Sequence, residues 1–302
     1  MSELALRVLF SIVAAPIALG IVLVGGAPLA ALLAVVCAIG AWEFYRLAIA
    51  TGARPLDDAG IAIAGVTPLV IHAHYLGLIT ARPAFAALVV LGICAAAIWT
   101  RGVEGQPLGA SATTVFGILY TAGALGFGYA LRYHDVVRGY DSVGAFNLTL
   151  AGLPLRIPPG GILLVFPLVV TWATDIGAYA VGRAVGGPKL IPSVSPGKTI
   201  SGAVGGLVVS MLVSLAYARL VLAPGAHLGL TPQGALLFGA CLSVAAQSGD
   251  LFESLIKREA GAKDSSHLIP GHGGILDRFD SLIFVLPVAY VLLGWLPMPL
   301  FQ

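Results

Sequence analysis

The stretch GGILLVFPLVVTWATDIGAYAVG, residues 160–182, decides the class of this protein: 23 residues carry a single charge, Asp175. About 20 apolar residues make a helix long enough to cross the hydrocarbon core of a bilayer. Eight similar runs surround it, at roughly 4–24, 27–50, 60–79, 84–99, 112–131, 200–222, 233–250 and 281–299. The pattern predicts an all-α polytopic integral membrane protein of about nine transmembrane helices. Residues 1–158 form an N-terminal region of about five spans. Residues 159–302 form a C-terminal region of about four spans, with polar loops at 183–199 and 250–280.

Composition agrees with this reading. Of 302 residues, 58% are apolar and 10% charged, and mean hydropathy is +0.97. Soluble domains carry about a quarter charged residues, so a water-soluble enzyme and a disordered chain are both excluded. The net charge of +2 offers no basic field to a nucleic acid. Cys37, Cys94 and Cys241 all fall in apolar runs and are odd in number, so they read as packing residues rather than a disulfide framework. The run after Arg7 is too long for a signal peptide, and another apolar run follows at once, so a retained helix is expected.

Alternating the loops puts eleven of the sixteen Lys and Arg on the side of the amino terminus and five, Arg82, Arg132, Arg138, Arg156 and Arg219, on the other. The positive-inside rule then places the amino terminus and both charged loops in the cytoplasm.

Charge is concentrated. Residues 250–280 hold ten of the thirty charged residues, both signs mixed, with glycines at 271, 273 and 274. A second polar segment runs from Asp175 to Ser201. Carboxylates at membrane depth are costly and mark functional sites by default, Asp175 most clearly. Basic side chains beside aspartates and glycines suit a polyphosphate with its divalent cation: aspartates supply hard oxygen ligands, and Lys and Arg neutralise phosphate oxygens. A zinc site fits poorly, since His267 and His272 stand five apart with no partner motif. Gly197-Lys198-Thr199 imitates the end of a P-loop, but the position of that motif's first glycine is Pro192, and its flanks read as membrane runs. Gly202 and Gly206 read as a helix-packing pair.

Ser254-Leu-Ile-Lys257-Arg258 followed by Lys263-Asp264-Ser-Ser-His-Leu-Ile-Pro270-Gly-His272-Gly273-Gly274-Ile-Leu-Asp277-Arg278-Phe-Asp280 resembles the signature of the phosphatidate cytidylyltransferases, the CDP-diacylglycerol synthases. Asp175-Ile-Gly-Ala-Tyr179-Ala-Val-Gly182-Arg183 and Ser193-Val-Ser195-Pro196-Gly-Lys198-Thr199 resemble that family's second conserved region. The motif-level likeness covers about residues 171–282; upstream, only hydropathy and a Trp42-Glu43-Phe44 element at a helix end are similar. One position departs: Ser201 stands where the family usually has glutamate.

The resemblance implies CTP plus phosphatidate giving CDP-diacylglycerol and pyrophosphate, in a bacterial plasma membrane with the site facing the cytoplasm. A phosphate monoester is largely dianionic at neutral pH and attacks the α-phosphorus without a strong base. Bringing two polyanions together is the difficulty, so metal neutralisation and cationic stabilisation of the leaving group carry the burden. The resemblance assigns Mg²⁺ to Asp250 and Asp277, with Asp280 one helical turn on as a further ligand or a partner of Arg278; a second cation, monovalent or divalent, is left open. Lys257, Arg258, Lys263 and Arg278 are candidates for nucleotide phosphates, and Lys198 and Ser195 for either phosphate. Asp175, Asp264 and His272 are candidates for substrate contacts. The plain alternative is mutual pairing, for instance Glu253 with Lys257 at i,i+4. The expected partners are the bilayer and the two substrates, without nucleic acid, and a homodimer is compatible with the small-residue pairs. The rival readings are a cytidylyltransferase for another lipid phosphate, a secondary transporter, a CDP-alcohol phosphotransferase, whose Asp-Gly-x-x-Ala-Arg opening is absent, and an assembly subunit with a vestigial site.

Overall fold

The structure is a computed structural model that describes residues 3–80, 82–137, 146–150, 153–268 and 273–299. Helices dominate it: α1 (Glu3–Val24), α2 (Gly26–Ala50), α3 (Asp57–Tyr75), α4 (Pro83–Thr100), α5 (Pro107–Ile118), α6 (Phe127–Arg132), α7 (Pro159–Val185), α8 (Ile200–Tyr217), α9 (Ala223–Ala226), α10 (Pro232–Glu259) and α11 (Leu276–Leu293). A π-helical turn joins α5 to α6 at Leu119–Gly123, and another joins α8 to α9 at Ala218–Leu222. Three antiparallel hairpin pairs complete the described chain: β1 (Phe146–Leu150) with β2 (Leu153–Ile157), β3 (Lys189–Ile191) with β4 (Ser195–Thr199), and β5 (Leu228–Gly229) with β6 (Met298–Pro299).

Every predicted span falls on a helix, and the all-α membrane class stands. The count of nine crossings is not confirmed. Among the described residues, six helical segments are long and apolar enough to cross a membrane: Gly26–Ala50, Pro83–Thr100, Pro107–Val137, Pro159–Val185, Ile200–Ala226 and Pro232–Glu259. The first predicted span lies on α1, 22 residues long and apolar over Val13–Val24. The other two carry charge. Asp57, Asp58, His72 and His74 lie at the ends of α3, and Asp277, Arg278 and Asp280 fill the first turns of α11.

Local chemistry sets several boundaries. Pro83, Pro107 and Pro159 open their helices at the first turn, where a missing N–H costs nothing. Thr199 caps α8 by accepting from the Gly202 N–H at 3.1 Å. The segment SPGKT is therefore a strand followed by a helix cap, flanked as expected by two membrane-length helical segments. Pairing with Lys189–Ile191 extends it, so it is not a phosphate-cradling loop.

The chain folds into two compact units. The first comprises residues 1–17, 26–129 and 255–279; the second comprises 18–25, 130–254 and 280–302. In the first, the almost fully buried Tyr45 donates its hydroxyl to the Thr114 carbonyl at 2.7 Å, and Phe44 packs against Phe116 and Tyr120 with ring centroids 5.5 and 5.8 Å away. In the second, Phe166 stacks on Tyr217 and Phe238 at 4.6 and 4.5 Å. There α7 and α8 pack through small residues: a side chain at Gly202 or Gly206 would come within 2.8 Å of a backbone carbonyl of α7. The expected helix-packing role of that pair is what the structure shows. Ser210 and Ser214 of α8 donate to the Gly239 and Ala235 carbonyls of α10, at 3.1 and 2.6 Å. Such hydroxyl bonds join helices where no hydrophobic driving force acts between them.

Candidate active site

In the first unit the centre is a carboxylate inside a membrane-length helix. Glu43 lies on α2 at 0% exposure. It accepts four hydrogen bonds: from the hydroxyls of Ser265 (3.1 Å) and Ser266 (2.5 Å), and from the backbone N–H groups of Ile275 (3.0 Å) and Leu276 (2.6 Å). The last two belong to the start of α11, whose opening N–H groups have no partner within the helix. Glu43 thus acts as a remote N-cap, its charge set against the positive end of the helix dipole.

Asp277, in the first turn of α11, completes this arrangement. One oxygen takes the Lys257 ammonium at 2.6 Å; the other accepts from the Ser265 N–H (3.0 Å), the Gly274 N–H (2.8 Å) and the Ser265 hydroxyl (2.9 Å), whose one proton is shared with Glu43. Both side chains are largely shielded, at 12% and 9% exposure. The glycines leave room for this. Gly273 has φ +78°, and a Cβ there would lie 2.7 Å from Asp277 Oδ2, while one on Gly274 would run into Ser265 and Glu43. Lys257 comes from the last turn of α10. Beyond it, Arg258 is exposed and donates to the Ala262 carbonyl at 3.1 Å. Lys263, Asp264 and Arg278 are also exposed, and His272 lies outside the described residues.

The second unit holds a sparser cluster. Lys198 of β4 contacts Asp250 of α10 at 2.6 Å, with side-chain exposures of 28% and 36%. Asp175 of α7 is open on its surface and feels the charges of both Lys198 and Asp250. The other oxygen of Asp250 has only a long contact from the Ser254 hydroxyl, 3.4 Å. Ser195 begins the strand that ends beside Lys198. Asp280 sits where α11 crosses α10: a Cβ on Gly249 would lie 2.5 Å from the Asp280 carbonyl and 3.1 Å from Phe284. At the departing position, Ser201 donates to the Gly186 carbonyl and stands 3.1 Å from the Thr199 hydroxyl. It tightens the turn between α7 and α8 and adds no charge.

Two of the three expected lysines therefore find an aspartate, Lys257 with Asp277 and Lys198 with Asp250, while Lys263 is exposed. The reading of residues 254–280 alone missed Glu43, Ser265 and Ser266. A signal for Glu43 was present, since it is the one acidic residue in the 27–50 run and a carboxylate at membrane depth calls for partners.

The chain matches the cytidylyltransferase family profile over residues 5–296. It belongs to the cytidylyltransferase family. Among curated relatives, a phosphatidate cytidylyltransferase of Brucella suis is 44% identical over 159 residues, covering 51% of this chain and 57% of that protein. Its namesake in Bacillus subtilis is 38% identical over 174 residues, covering 58% and 57%. One in Staphylococcus saprophyticus is 46% identical over 130 residues, covering 43% and 48%. The chain thus spans about half the length of the curated relatives it matches. Membership of a cytidylyltransferase family argues against the transporter and the CDP-alcohol phosphotransferase.

The donor chemistry separates the two clusters as metal sites. Asp277 has both oxygens engaged. Asp250 has one oxygen nearly free, a second carboxylate nearby in Asp175, and one ammonium between two negative charges, which suits a divalent cation. Among the described residues no three Asp, Glu, His or Cys side chains gather around one point. Mg²⁺ keeps several waters and shares its ligands with substrate phosphates, so one or two carboxylates suffice.

Proposed function

We propose that this protein is a phosphatidate cytidylyltransferase that joins CTP and phosphatidate into CDP-diacylglycerol and releases pyrophosphate. The observation that carries the reading is the way the signature segment folds: Lys257, Asp277, Ser265 and Gly274 form one bonded cluster anchored on the buried Glu43. The family match and the names of the relatives support it.

In this reaction an oxygen of the lipid phosphate attacks the α-phosphorus of CTP, and the bond to the β-phosphate breaks in line. Phosphatidate arrives already ionised, so the chain needs to position and neutralise rather than remove a proton. Lys257, Arg258, Lys263 and Arg278 of the first unit are assigned to phosphate oxygens of the nucleotide, and Lys198 with Ser195 of the second unit to a substrate phosphate. Asp250, with Asp175 as a second carboxylate, would hold Mg²⁺, which would supply charge neutralisation to the phosphates; Asp280, whose carboxylate accepts from the Ser281 N–H, is kept as a candidate further ligand. Asp277 acts by holding Lys257 and the Ser265 backbone in place. Acyl chains stay in the bilayer, which accounts for a lipid-embedded scaffold. We place the site on the cytoplasmic side of a bacterial plasma membrane, on the distribution of Lys and Arg.

Purified protein in detergent, given labelled CTP, phosphatidate and Mg²⁺, is expected to form CDP-diacylglycerol and pyrophosphate in equal amounts. A folded protein that turns over no phosphatidate would refute the reading, and turnover of another lipid phosphate alone would reassign the substrate. Cysteine placed at the exposed Lys263 is expected to stay unlabelled by impermeant reagents outside intact cells.

A further inference from the structure

Beside the Glu43 cluster the first unit carries a cavity of about 480 Å³, lined by Trp42, Arg46, Asp264, Ser265, Ser266 and His267, among others. No step of the proposed reaction uses Trp42, Arg46 or His267. We propose that this cavity seats the base and ribose of the nucleotide, with the Trp42–Arg46 pair as a stacking platform and Asp264 as the acceptor for an exocyclic amino group. The proposal rests on the cytidylyltransferase reading and adds a site for the half of CTP that does not react.

Three observations support it. First, the Arg46 guanidinium lies over the Trp42 indole, 4.8 Å from its centroid. Guanidinium and indole planes are the surfaces on which proteins stack bases. Trp42 is half-buried and Arg46 exposed, so the stack can be extended from the open side. Second, the cavity is continuous with the bonded cluster. Ser265 lines it and also donates to Asp277, and Ser266 lines it and donates to Glu43. A nucleoside seated there has its phosphates leaving toward the Lys257–Asp277 pair without any further element. Third, size and lining suit a nucleoside. The volume falls within the ~300–1,000 Å³ of small-ligand pockets, which combine apolar walls with a few placed polar groups. Leu47, Ala50 and Ala260 supply such walls. A diacyl lipid needs more room, and its chains belong in the bilayer. Asp264 is exposed at the rim, and a carboxylate is the natural acceptor for the 4-amino group that separates cytosine from uracil.

The test uses the full-length protein in detergent and compares Trp42→Ala, Trp42→Phe and Asp264→Asn with the parent, after melting curves confirm folding. Trp42→Ala is expected to raise the KM for CTP about tenfold or more, the usual effect of removing a stacking ring, with the KM for phosphatidate unchanged; Trp42→Phe restores most of the loss. Asp264→Asn is expected to lower the CTP-over-UTP preference about tenfold, since an amide also donates to a uracil oxygen. In a second arm, cytidine without phosphates quenches the tryptophan fluorescence of the parent, and the Trp42→Ala variant loses that part of the quench. If the parent turns over CTP while these variants keep its KM and selectivity, the cavity assignment falls and the reaction stands. If the KM for phosphatidate rises instead, the cavity belongs to the lipid headgroup and the proposal is overturned. If the parent makes no CDP-diacylglycerol, the reaction reading falls, and the cytidine arm decides the cavity by itself.

Discussion

Each unit contains a lysine paired with an aspartate at 2.6 Å, yet the two pairs have little else in common. Around Asp277 almost every acceptor site is used, and neighbouring Glu43 takes four more bonds at zero exposure. Around Asp250 one ion pair, about a third exposed, stands beside a second carboxylate with nothing comparable to fix it among the described residues. A saturated buried cluster sets the shape of a loop. An undersatisfied, accessible one is available to bind a cation or a phosphate. The two aspartates look equivalent in sequence, but Asp277 has both oxygens engaged and Asp250 does not, which supports the proposal that the first positions and the second takes part in the chemistry.

The contrast breaks hardest at Glu43. Glu43→Ala orphans the Ser266 hydroxyl and two helix-opening N–H groups, while the Ser265 hydroxyl keeps Asp277 as acceptor; each orphaned group costs about 1–3 kcal/mol when buried without a partner. The expected result is failure to reach the folded state, read as loss of a monodisperse peak and of a cooperative melt. Glu43→Gln keeps the shape and two lone pairs, so a folded protein with a clearly lowered Tm is expected. A Glu43→Ala protein that melts like the parent would show that the loop is held by other contacts.

Next in size is the buried pair. Lys257→Met removes the partner of a shielded carboxylate, a change that typically costs about 3–5 kcal/mol. The matching change in the other cluster, Lys198→Met, opens a pair about a third exposed, where about 0–1 kcal/mol is usual. Melting curves in the same detergent are expected to separate the two by several degrees. Equal shifts would erase the distinction between scaffold and working site.

Activity should sort in the opposite order. Asp250→Asn is expected to lower kcat about 10²–10³-fold, the scale of losing one transition-state electrostatic partner, while Tm stays near that of the parent. Raising Mg²⁺ should recover part of the rate, because the variant weakens binding rather than removing the other donors. Near-normal turnover would return the metal to Asp277.

Much of this is legible in the sequence. Apolar runs of about 20 residues admit few structures in lipid, so the helices could be read directly, and the thinness of charge elsewhere made 250–280 conspicuous. The pairings were not legible. Lys257 and Asp277 are twenty residues apart across a glycine-rich turn, and Glu43 is more than two hundred residues from its serine partners. No periodicity reports a contact at that separation. The number of crossings was blurred for another reason: α3 and α11 carry their charges at their ends, where hydropathy cannot tell a membrane helix from an interfacial one. That SPGKT is no P-loop could be read from Pro192, but the pairing with Lys189–Ile191 that extends it could not.

The smallest expected effect tests whether the saturated cluster is shaped by its turn. Gly273 sits at φ +78°, in the left-handed region that costs a residue with a Cβ about 1–2 kcal/mol. At this position the added methyl would also lie 2.7 Å from the Asp277 oxygen that accepts three hydrogen bonds. Gly273→Ala should therefore lower Tm by a few degrees and weaken catalysis through displacement of Asp277, with a larger change in kcat than in the KM for CTP. Gly261 offers the control: its φ is +66°, but a Cβ there meets nothing within 4 Å. Gly261→Ala bears the backbone cost alone. If both variants lose the same stability and neither loses rate, the turn is merely strained and the contact with Asp277 has no catalytic consequence. If only Gly273→Ala loses rate, the position of that carboxylate is what the turn maintains.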